Sequence, residues 1–453
     1  MTAVYGFGLN VFGQLRAVED ELEGDEVWRT PQEIDAGGGD AVVVLKAATW
    51  SQTILQLQPS EAQEATHYLC IGLRPTPAGT LKDESDALSG SFRLRVERPP
   101  FQAFLGSDQL EAIIDGDGHA RSTDALSWRP AQDKSEEAGA PLPPPASERK
   151  WSAAASDGLG RVIAIEDSGQ AVFFQTVSHF VQGRHGEVMS WDSDPSYPAT
   201  QSRSGGDMGS VVKICAGASH FLLLLQQTPA GSTVDHQIWG WGDDRFGQLQ
   251  RATPSGPSST STPAPILEPI AFFSVASEGF PEQVIDIAAG ARHCIALTQS
   301  GAIYSWGSND KGQLGIDLSS SLGASRAAGV NLVELDGGGL EDDDDALTIT
   351  SAGCGSAHTV LGARDGTIWV AGSDAQGQLG LQRQSDAPHQ EHIEATLLPT
   401  PAWGSAPTTQ KDQRQSQTTF RRHPHFPPGR HEGEAQVVCG ASHTVIAWRN
   451  SDR

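Results

Sequence analysis

Residues 284–315 read VIDIAAGARHCIALTQSGAIYSWGSNDKGQLG, and residues 349–380 read ITSAGCGSAHTVLGARDGTIWVAGSDAQGQLG. Each stretch holds an apolar segment, a Gly-x-x-His corner, a second apolar segment, a polar turn, and a third segment with an aromatic residue and a final glycine. The period-two alternation predicts antiparallel strands, and the turns Ser300–Gly301 and Asp365–Gly366 are typical of hairpins. A pattern that recurs in this way indicates one structural unit used several times.

Further copies of the unit occur along the chain. A third copy spans 211–249, where VVKICAGASHFLLLL is followed, after a short insertion, by IWGWGDDRFGQL. More degenerate copies occupy about 41–73, 101–120 and 151–175. Together with the two stretches above, these make six units.

The two chain ends supply one more unit. Residues 437–448 (VVCGASHTVIAW) contain only the first half of the repeat, and residues 4–15 (VYGFGLNVFGQL) contain only the second half. Pairing the two would close a ring and remove exposed sheet edges. The sequence therefore predicts an all-β protein, a single seven-bladed β-propeller domain over 1–453, closed by its N- and C-terminal strands.

Three stretches interrupt the repeat and are predicted to be disordered insertions: about 131–150, 251–265 and 382–433. The last one carries a basic patch. We expect a solvated loop there, with binding of an acidic partner or RNA as the alternative. The patch consists of Arg421, Arg422, His423, His425, Arg430 and His431.

The charge of the chain bears on its partners. The 453 residues include 56 acidic and 31 basic side chains, for a net charge of −25, which disfavours nucleic-acid binding. No stretch has the roughly 18 apolar residues that a membrane span needs, and the start shows no signal peptide. The five cysteines form no CxxC pair, so reduced thiols are expected. We expect a soluble monomer of the cytoplasm, the nucleus or both.

The repeated glycines and histidines allow two interpretations. Either the histidines are buried structural groups, or they form a metal or catalytic ring. Equivalent residues of a radial repeat lie far apart in different blades, so the structural interpretation is favoured. The residues are Gly217, His220, Gly290, His293, Gly307, Gly312, Gly355, His358, Gly372, Gly377, Gly440 and His443.

No catalytic motif is present in the sequence. It contains no GxxxxGK[ST], HExxH or GxSxG pattern. The GWGDDRFG stretch lacks the helix start that a phosphate loop requires. The acidic run EDDDD at 341–345 lacks the spacing of a calcium loop. We therefore predict a protein that is not an enzyme and that has no metal or other cofactor.

The repeated YSWGSNDKGQLG string, preceded by AAGARHCIALT, resembles the regulator-of-chromosome-condensation repeat family. The resemblance implies a seven-bladed propeller. The opening MTAVYGFGLNVFGQL is similar to two small members, the fungal alpha-tubulin suppressor protein and an animal protein associated with a Jumonji-type hydroxylase. The fungal member pairs with a small zinc-binding protein in diphthamide synthesis and Elongator-dependent tRNA wobble-uridine modification. The founding member is a nucleotide-exchange factor for the GTPase Ran that docks on nucleosomes through basic segments.

These observations favour a non-catalytic adaptor that binds a protein partner. The resemblance implies a small zinc-binding protein as that partner. The alternatives are an exchange factor for a Ran-like small GTPase and a chromatin-associated adaptor. The loops that follow the third strands are predicted to contact the partner, through Asp243, Asp244, Arg245, Asn309, Asp310, Lys311 and Asp374.

Overall fold

The computed structural model describes the greater part of the chain. The described residues are 3–10, 14–15, 27–34, 42–58, 65–73, 89–96, 100–126, 128–130, 142, 144–191, 210–227, 235–251, 266–273, 282–316, 329–335, 348–381, 416–427, 429, 431 and 433–449.

Almost all of the regular structure is β. The strands of the first half are β1 (Val4–Leu9), β2 (Val27–Glu33), β3 (Val42–Ala48), β4 (Gln52–Gln58), β5 (Thr66–Leu73), β6 (Ser89–Val96), β7 (Ala103–Leu105), β8 (Ala112–Ile114), β9 (Ala120–Ser122), β10 (Arg129–Pro130), β11 (Trp151–Ser156), β12 (Val162–Glu166), β13 (Ala171–Phe174), β14 (Glu187–Val188) and β15 (Ser190–Trp191). Those of the second half are β16 (Ser210–Ala216), β17 (His220–Gln227), β18 (Asp235–Gly242), β19 (Ile266–Pro269), β20 (Val284–Ala289), β21 (His293–Thr298), β22 (Ile303–Gly307), β23 (Asn331–Leu332), β24 (Ile349–Cys354), β25 (His358–Ala363), β26 (Ile368–Ser373), β27 (Ser416–Arg422), β28 (Glu434–Cys439) and β29 (His443–Arg449).

Helices are a minor component. The described residues contain one α-helix, α1 (Val177–Gln182), and two 3-10 turns, Thr123–Ala125 and Ala271–Phe273. Thr176 caps α1 by accepting a hydrogen bond from the His179 backbone N–H, and Gly183 ends the helix in the left-handed region. Within the described chain, no helix is long and apolar enough to cross a membrane.

The described strands form seven sheets, which are the blades of a β-propeller. Blade 1 holds β3 to β6 and β10, blade 2 holds β7 to β9, and blade 3 holds β11 to β14. Blades 4, 5 and 6 hold β15 to β19, β20 to β23 and β24 to β27, and blade 7 combines β28 and β29 with β1 and β2. The predicted all-β, seven-bladed architecture is confirmed.

The blades follow one another around a ring. The innermost strands β7, β11, β16, β20, β24, β28 and β3 contact each other in that order. Blades 1 and 2 meet where the backbone N–H groups of Trp50 and Ser51 donate to the carbonyls of Ser107 and Asp108, at 3.1 and 3.0 Å. The core lies between neighbouring blades: Ile295 of blade 5, for example, packs in one cluster with Leu361 and Trp369 of blade 6.

Ring closure joins the two ends of the chain, as predicted. Strand β1 lies between β29 and β2 and is antiparallel to both. Its register with β29 runs from Val4 opposite Ala447 to Gly8 opposite His443. Because β1 has a partner on each side, the closing blade leaves neither chain end as an open edge.

The degenerate copies extend further than the sequence indicates. The unit at about 41–73 continues through β6 and β10, and the unit at about 151–175 continues to β14. The unit at about 101–120 forms the three short strands of blade 2, which end at Ser122. The outer strands carry few apolar residues, so their periodicity is weak.

The prediction of disorder was wrong for the end of the 382–433 insertion. Residues 416–422 form β27, which pairs with β26 as the outer strand of blade 6. Phe420 and Phe426 are fully buried there. Residues 382–415 lie outside the described residues.

The basic patch of that insertion is not a purely solvated loop. His423 is fully buried and lies against Phe7. His431 stacks on Trp448 with ring centroids 4.0 Å apart. Apolar and aromatic neighbours therefore order a segment whose composition predicts disorder.

Both other insertions also border ordered structure. Arg149 forms an ion pair with Glu166. The backbone of Lys150 forms an isolated antiparallel β-bridge with that of His119. Arg251 bonds to Asp244 and Glu268. The remaining parts of these two predictions, 131–141, 143 and 252–265, lie outside the described residues.

Two replacements test the corrected boundary. Replacing residues 383–414, which the sequence predicts to be disordered, by a Gly/Ser linker of about a dozen residues should preserve cooperative unfolding, since the cost of closing a loop changes little with its length. Extending the replacement through residue 426 should lower the free energy of unfolding by more than about 3 kcal/mol, because it removes two buried phenylalanines. Urea unfolding followed by tryptophan fluorescence measures both. Equal stability of the two variants would contradict the placement of β27.

Candidate functional site

Each Gly-x-x-His corner links its blade to the next one. The glycine N–H of a corner donates to the carbonyl of its own histidine, for example Gly290 to His293 at 2.8 Å. The following residue reaches across the gap: the Ala291 N–H donates to the Gly355 carbonyl of blade 6 at 3.0 Å. A Cβ at Gly290 would lie 2.3 Å from His293 Cε1 and 2.5 Å from that carbonyl oxygen. Glycine is required at the corner because both groups approach so closely.

The corner histidines are buried and bond to the neighbouring blade. The Thr359 hydroxyl donates to the Gln313 carbonyl at 2.7 Å, so its oxygen accepts from His293 Nε2–H at 2.9 Å. The same arrangement joins His358 to Thr444, at 3.1 Å. His220 Nε2 contacts Cys294 Sγ at 3.2 Å, and His443 Nε2 contacts Thr53 Oγ1 at 3.3 Å. Each imidazole therefore connects two blades.

Burial keeps these imidazoles neutral. It lowers the pKa of His293 and His358 from the ordinary 6.5 to about 3, and that of His220 and His443 to about 4. Desolvation of the charged ring is the main cause in all four. Among the described residues, no group of three or more His, Cys, Asp or Glu side chains is arranged to hold a metal ion.

Three of the seven predicted partner-contacting residues point into their own loops. Asp244 Oδ1, Asn309 Oδ1 and Asp374 Oδ1 accept hydrogen bonds from backbone N–H groups five residues later, at 2.6, 2.9 and 2.8 Å. Burial raises the pKa of Asp374 to about 6 despite these bonds. These side chains shape the loops, as Asx residues commonly do in turns.

The other four predicted residues lie nearer to solvent. The Asp243 carboxylate accepts a bidentate pair of hydrogen bonds from Arg245, and Arg245 Nη2 lies 2.7 Å from Asp243 Oδ2. Burial opposes ionisation of Asp243, but the bonds from Arg245 outweigh it and lower the pKa of the carboxyl. Asp310 accepts from Ser308 Oγ and Gln313 Nε2, and Lys311 follows in the same loop. All four lie on the side of the ring that carries the corners, which we call the corner face.

Sequence reasoning missed the apolar groups of the corner face. Leu159, in the corner of blade 3, is 63% exposed, and Phe246, in the loop of blade 4, is 37% exposed. The guanidinium carbon of Arg292 lies 4.5 Å from the Phe246 ring centroid. The sequence could have indicated Phe246 as a candidate, because the aligned copies have the polar residues Lys311 and Gln376 at this position.

Neighbouring blades are connected on this face by further polar contacts. Arg161 bonds to the buried Asp157 carboxylate and donates to the Ser219 carbonyl of blade 4 at 2.9 Å. Its guanidinium lies over the Trp241 ring, 4.8 Å from the centroid. Ser219 Oγ in turn bonds to Asp243 at 3.2 Å. The corner face of blades 3 to 5 is thus one connected surface.

Family comparison agrees with this geometry. The model of the Regulator of chromosome condensation (RCC1) repeat matches residues 235–297 and 284–313. The chain therefore contains RCC1 repeats within residues 235–313.

Curated relatives with RCC1 repeats match over part of their length. The ultraviolet-B receptor UVR8 of Arabidopsis thaliana is 28% identical over 216 residues, which are 48% of this chain and 41% of the receptor. Human RCC2 is 37% identical over 97 residues, 21% of this chain and 16% of RCC2. The chain spans less than half the length of these relatives.

Solved structures show the same fold at low sequence identity. Prp20p from Saccharomyces cerevisiae, described with its binding to Gsp1p and histones, superposes with a TM-score of 0.57 at 14% identity. That comparison covers 100% of this chain and 92% of Prp20p. Human WBSCR16 gives a TM-score of 0.54 at 14% identity over the whole of both chains.

One substitution pair tests the role of the corner imidazoles. The neutral imidazole of His358 is favoured by folding, so its contribution is present above pH 6.5 and is lost as the pH falls toward 3. His358→Gln should reduce the slope of unfolding free energy against pH by about 1.4 kcal/mol per pH unit between pH 6 and 4. Glutamine already occupies the equivalent corner position in blade 1, as Gln52.

The matched variant Thr444→Val removes the acceptor of His358 and leaves the imidazole in place. It should lower stability by about 1 to 3 kcal/mol at pH 7.5 and keep the wild-type slope. Urea titrations at pH 7.5, 6, 5 and 4 measure both quantities. An unchanged slope in His358→Gln would show that this imidazole is not buried in its neutral form.

Proposed function

We propose that the protein is a non-catalytic scaffold that binds a protein partner on its corner face. The observation that carries the proposal is the exposure of Leu159 and Phe246 on that face. The repeated histidines and loop caps already serve blade packing and loop shape. The exposed apolar groups of this face are typical anchors of protein interfaces.

For the partner, we propose the small zinc-binding protein of diphthamide synthesis and tRNA wobble-uridine modification. Support comes from the resemblance of residues 1–15 to the fungal alpha-tubulin suppressor protein. In this structure those residues include β1, the closing strand of the ring. A scaffold of this pathway would act in the cytoplasm or the nucleus.

A second candidate function is nucleotide exchange on a Ran-like GTPase. The fold similarity to Prp20p, described with its binding to Gsp1p, supports it. An exchange factor would accelerate GDP release at catalytic concentration, whereas a scaffold would form a stoichiometric complex without turnover. Chromatin association is the third possibility, and it would show a steep dependence on salt.

Affinity purification tests the proposed face. The tagged full chain is isolated from its native cell beside the double variant Leu159→Ser, Phe246→Ser, and the proteins recovered are identified by mass spectrometry. The matched control is Val188→Ser, Ile266→Ser, which removes two exposed apolar side chains from strands β14 and β19. We expect the corner-face variant to lose the partner at least tenfold, as loss of interface anchors implies, and the control to keep it.

The identity of the recovered protein separates the candidates. A small zinc-binding protein recovered with diphthamide or Elongator components supports the pathway scaffold. A Ran-like GTPase alone, together with faster GDP release from it, supports the exchange factor. Partner recovery that is equal in the corner-face variant and the control would contradict the proposed face.

A further inference from the structure

The loop that follows the third strand of blade 4 differs from its copies at positions that stabilise them. We call residues 243–251 the blade 4 loop. The corresponding residues are 308–316 in blade 5 and 373–381 in blade 6. The blade 4 loop lacks a hydrogen-bond acceptor that blade 5 provides and a glycine that both copies contain. Each of these differences lowers the stability of the loop.

The first difference leaves a buried amide group of Gln248 without a hydrogen bond. Its side chain is fully buried, its Oε1 accepts from the Phe246 N–H at 2.8 Å, and its Nε2 has no partner among the described residues. In blade 5 the equivalent Nε2 of Gln313 donates to Asp310 Oδ1 at 3.0 Å. Arg245 stands at the position of Asp310 and supplies no acceptor. A buried donor that lacks an acceptor lowers the free energy of unfolding.

The second difference strains the backbone at Gln250. Its φ is +53°, in the left-handed region where residues other than glycine are disfavoured. The copies have Gly315 and Gly380 at this position, with φ of +66° and +63°. Gln250 Nε2 donates to the Gly247 carbonyl at 2.6 Å, which holds the residue in this conformation. The strain and the unpaired amide are independent, because one concerns the main chain and the other a side chain.

Local costs of this kind concentrate at functional surfaces of proteins. The blade 4 loop presents Arg245, whose side chain is 50% exposed, beside the partly exposed Phe246. Asp243 fixes the guanidinium through Nε and Nη2, and within the described chain Arg245 Nη1 makes no hydrogen bond. A guanidinium has five N–H donors, so an oriented pair of donors at Nη1 remains for a further acceptor.

The charges around the blade 4 loop balance. The described ionisable side chains of the loop and its neighbours are four anions, Asp243, Asp244, Glu268 and Asp310, and four cations, Arg245, Arg251, Arg292 and Lys311. A carboxylate gains little attraction from surroundings without net charge. A peptide carbonyl loses no hydration of a full charge when it binds there. The surroundings therefore favour a neutral hydrogen-bond acceptor.

We propose that the blade 4 loop recognises a main-chain segment of the protein partner. Peptide carbonyls of the segment accept hydrogen bonds from Arg245 Nη1, and an apolar side chain of the same segment covers Phe246. The loops of blades 5 and 6, which carry neither cost, are not required for binding. This inference deepens the proposed scaffold function and rests on it, because it names the loop and the chemistry by which the corner face binds.

Urea unfolding of single variants tests the cost that the loop carries. Arg245→Asn places a neutral acceptor where Asp310 lies in blade 5, so its unfolding midpoint should rise above that of the wild type. Arg245→Lys is the matched variant, because it keeps the positive charge but supplies no acceptor, and its midpoint should not rise. The opposite change in blade 5, Asp310→Ala, should lower the midpoint by removing the acceptor of Gln313.

Fluorescence anisotropy tests recognition by the full-length protein. The probe is the labelled, purified small zinc-binding protein that is proposed as the partner. Arg245→Asn and Arg245→Lys should each weaken its binding at least about tenfold, because asparagine has no guanidinium and lysine lacks the fixed fork of donors. Asp310→Ala should bind the probe within about twofold of the wild type despite its lower stability.

Salt distinguishes a neutral acceptor from a carboxylate. The loss of affinity in Arg245→Asn should be the same at about 50 and about 500 mM salt, because a hydrogen bond to a neutral group is not screened as an ion pair is. The inference is overturned if this loss disappears at high salt, if Arg245→Asn binds the probe as tightly as the wild type, or if Arg245→Asn is no more stable than Arg245→Lys.

Failure of this inference is distinguishable from failure of the proposed function. If the wild type binds the probe and Arg245→Asn binds it equally, the scaffold function stands and recognition by the blade 4 loop is wrong. If the wild type itself does not bind the probe, the proposed partner is wrong, and the inference about its recognition fails with it.

Discussion

Hydrogen bonds between neighbouring corners hold the ring together, and most other features of the molecule depend on them. The imidazole of one blade donates to a hydroxyl of the next blade, and that hydroxyl donates back to the Gly-Gln-Leu loop of the first blade. His293, Thr359 and Gln313 form one such link. Each link fixes three backbone segments at once, which explains why glycine, histidine and glutamine recur together. The apolar surface that neighbouring blades share is non-directional and does not by itself fix their register.

These links also explain what the sequence reveals about the fold. The residues that build a link must recur at constant spacing, so the copies at 284–315 and 349–380 predict the unit, and the split ends predict closure. The outer strands are not predicted, because β23 has two residues and β27 has Phe420 as its single fully buried side chain. Their place is decided by tertiary contacts with the preceding strand, and no local pattern encodes those contacts.

The candidate site depends on residues that do not recur in the repeat, unlike the fold. A recurring residue serves the blade, and Asp244, Asn309 and Asp374 accordingly cap their own loops. A residue that departs from the repeat is free to serve something else. Phe246 and Arg292 are both departures, in different blades and 46 positions apart in the chain, and only folding brings them together. The sequence shows that each of these residues differs from the repeat, but it does not show that the two side chains lie close together.

Closure by the chain ends bears on how the protein is made. Strand β1 is synthesised well before its partner β29, because the other strands described lie between them in the chain. While the intervening strands are synthesised, β1 has a free edge on the β29 side, and free edges favour pairing with other chains. The nascent ring therefore exposes this edge until β29 emerges, which makes newly synthesised chains candidates for chaperone binding.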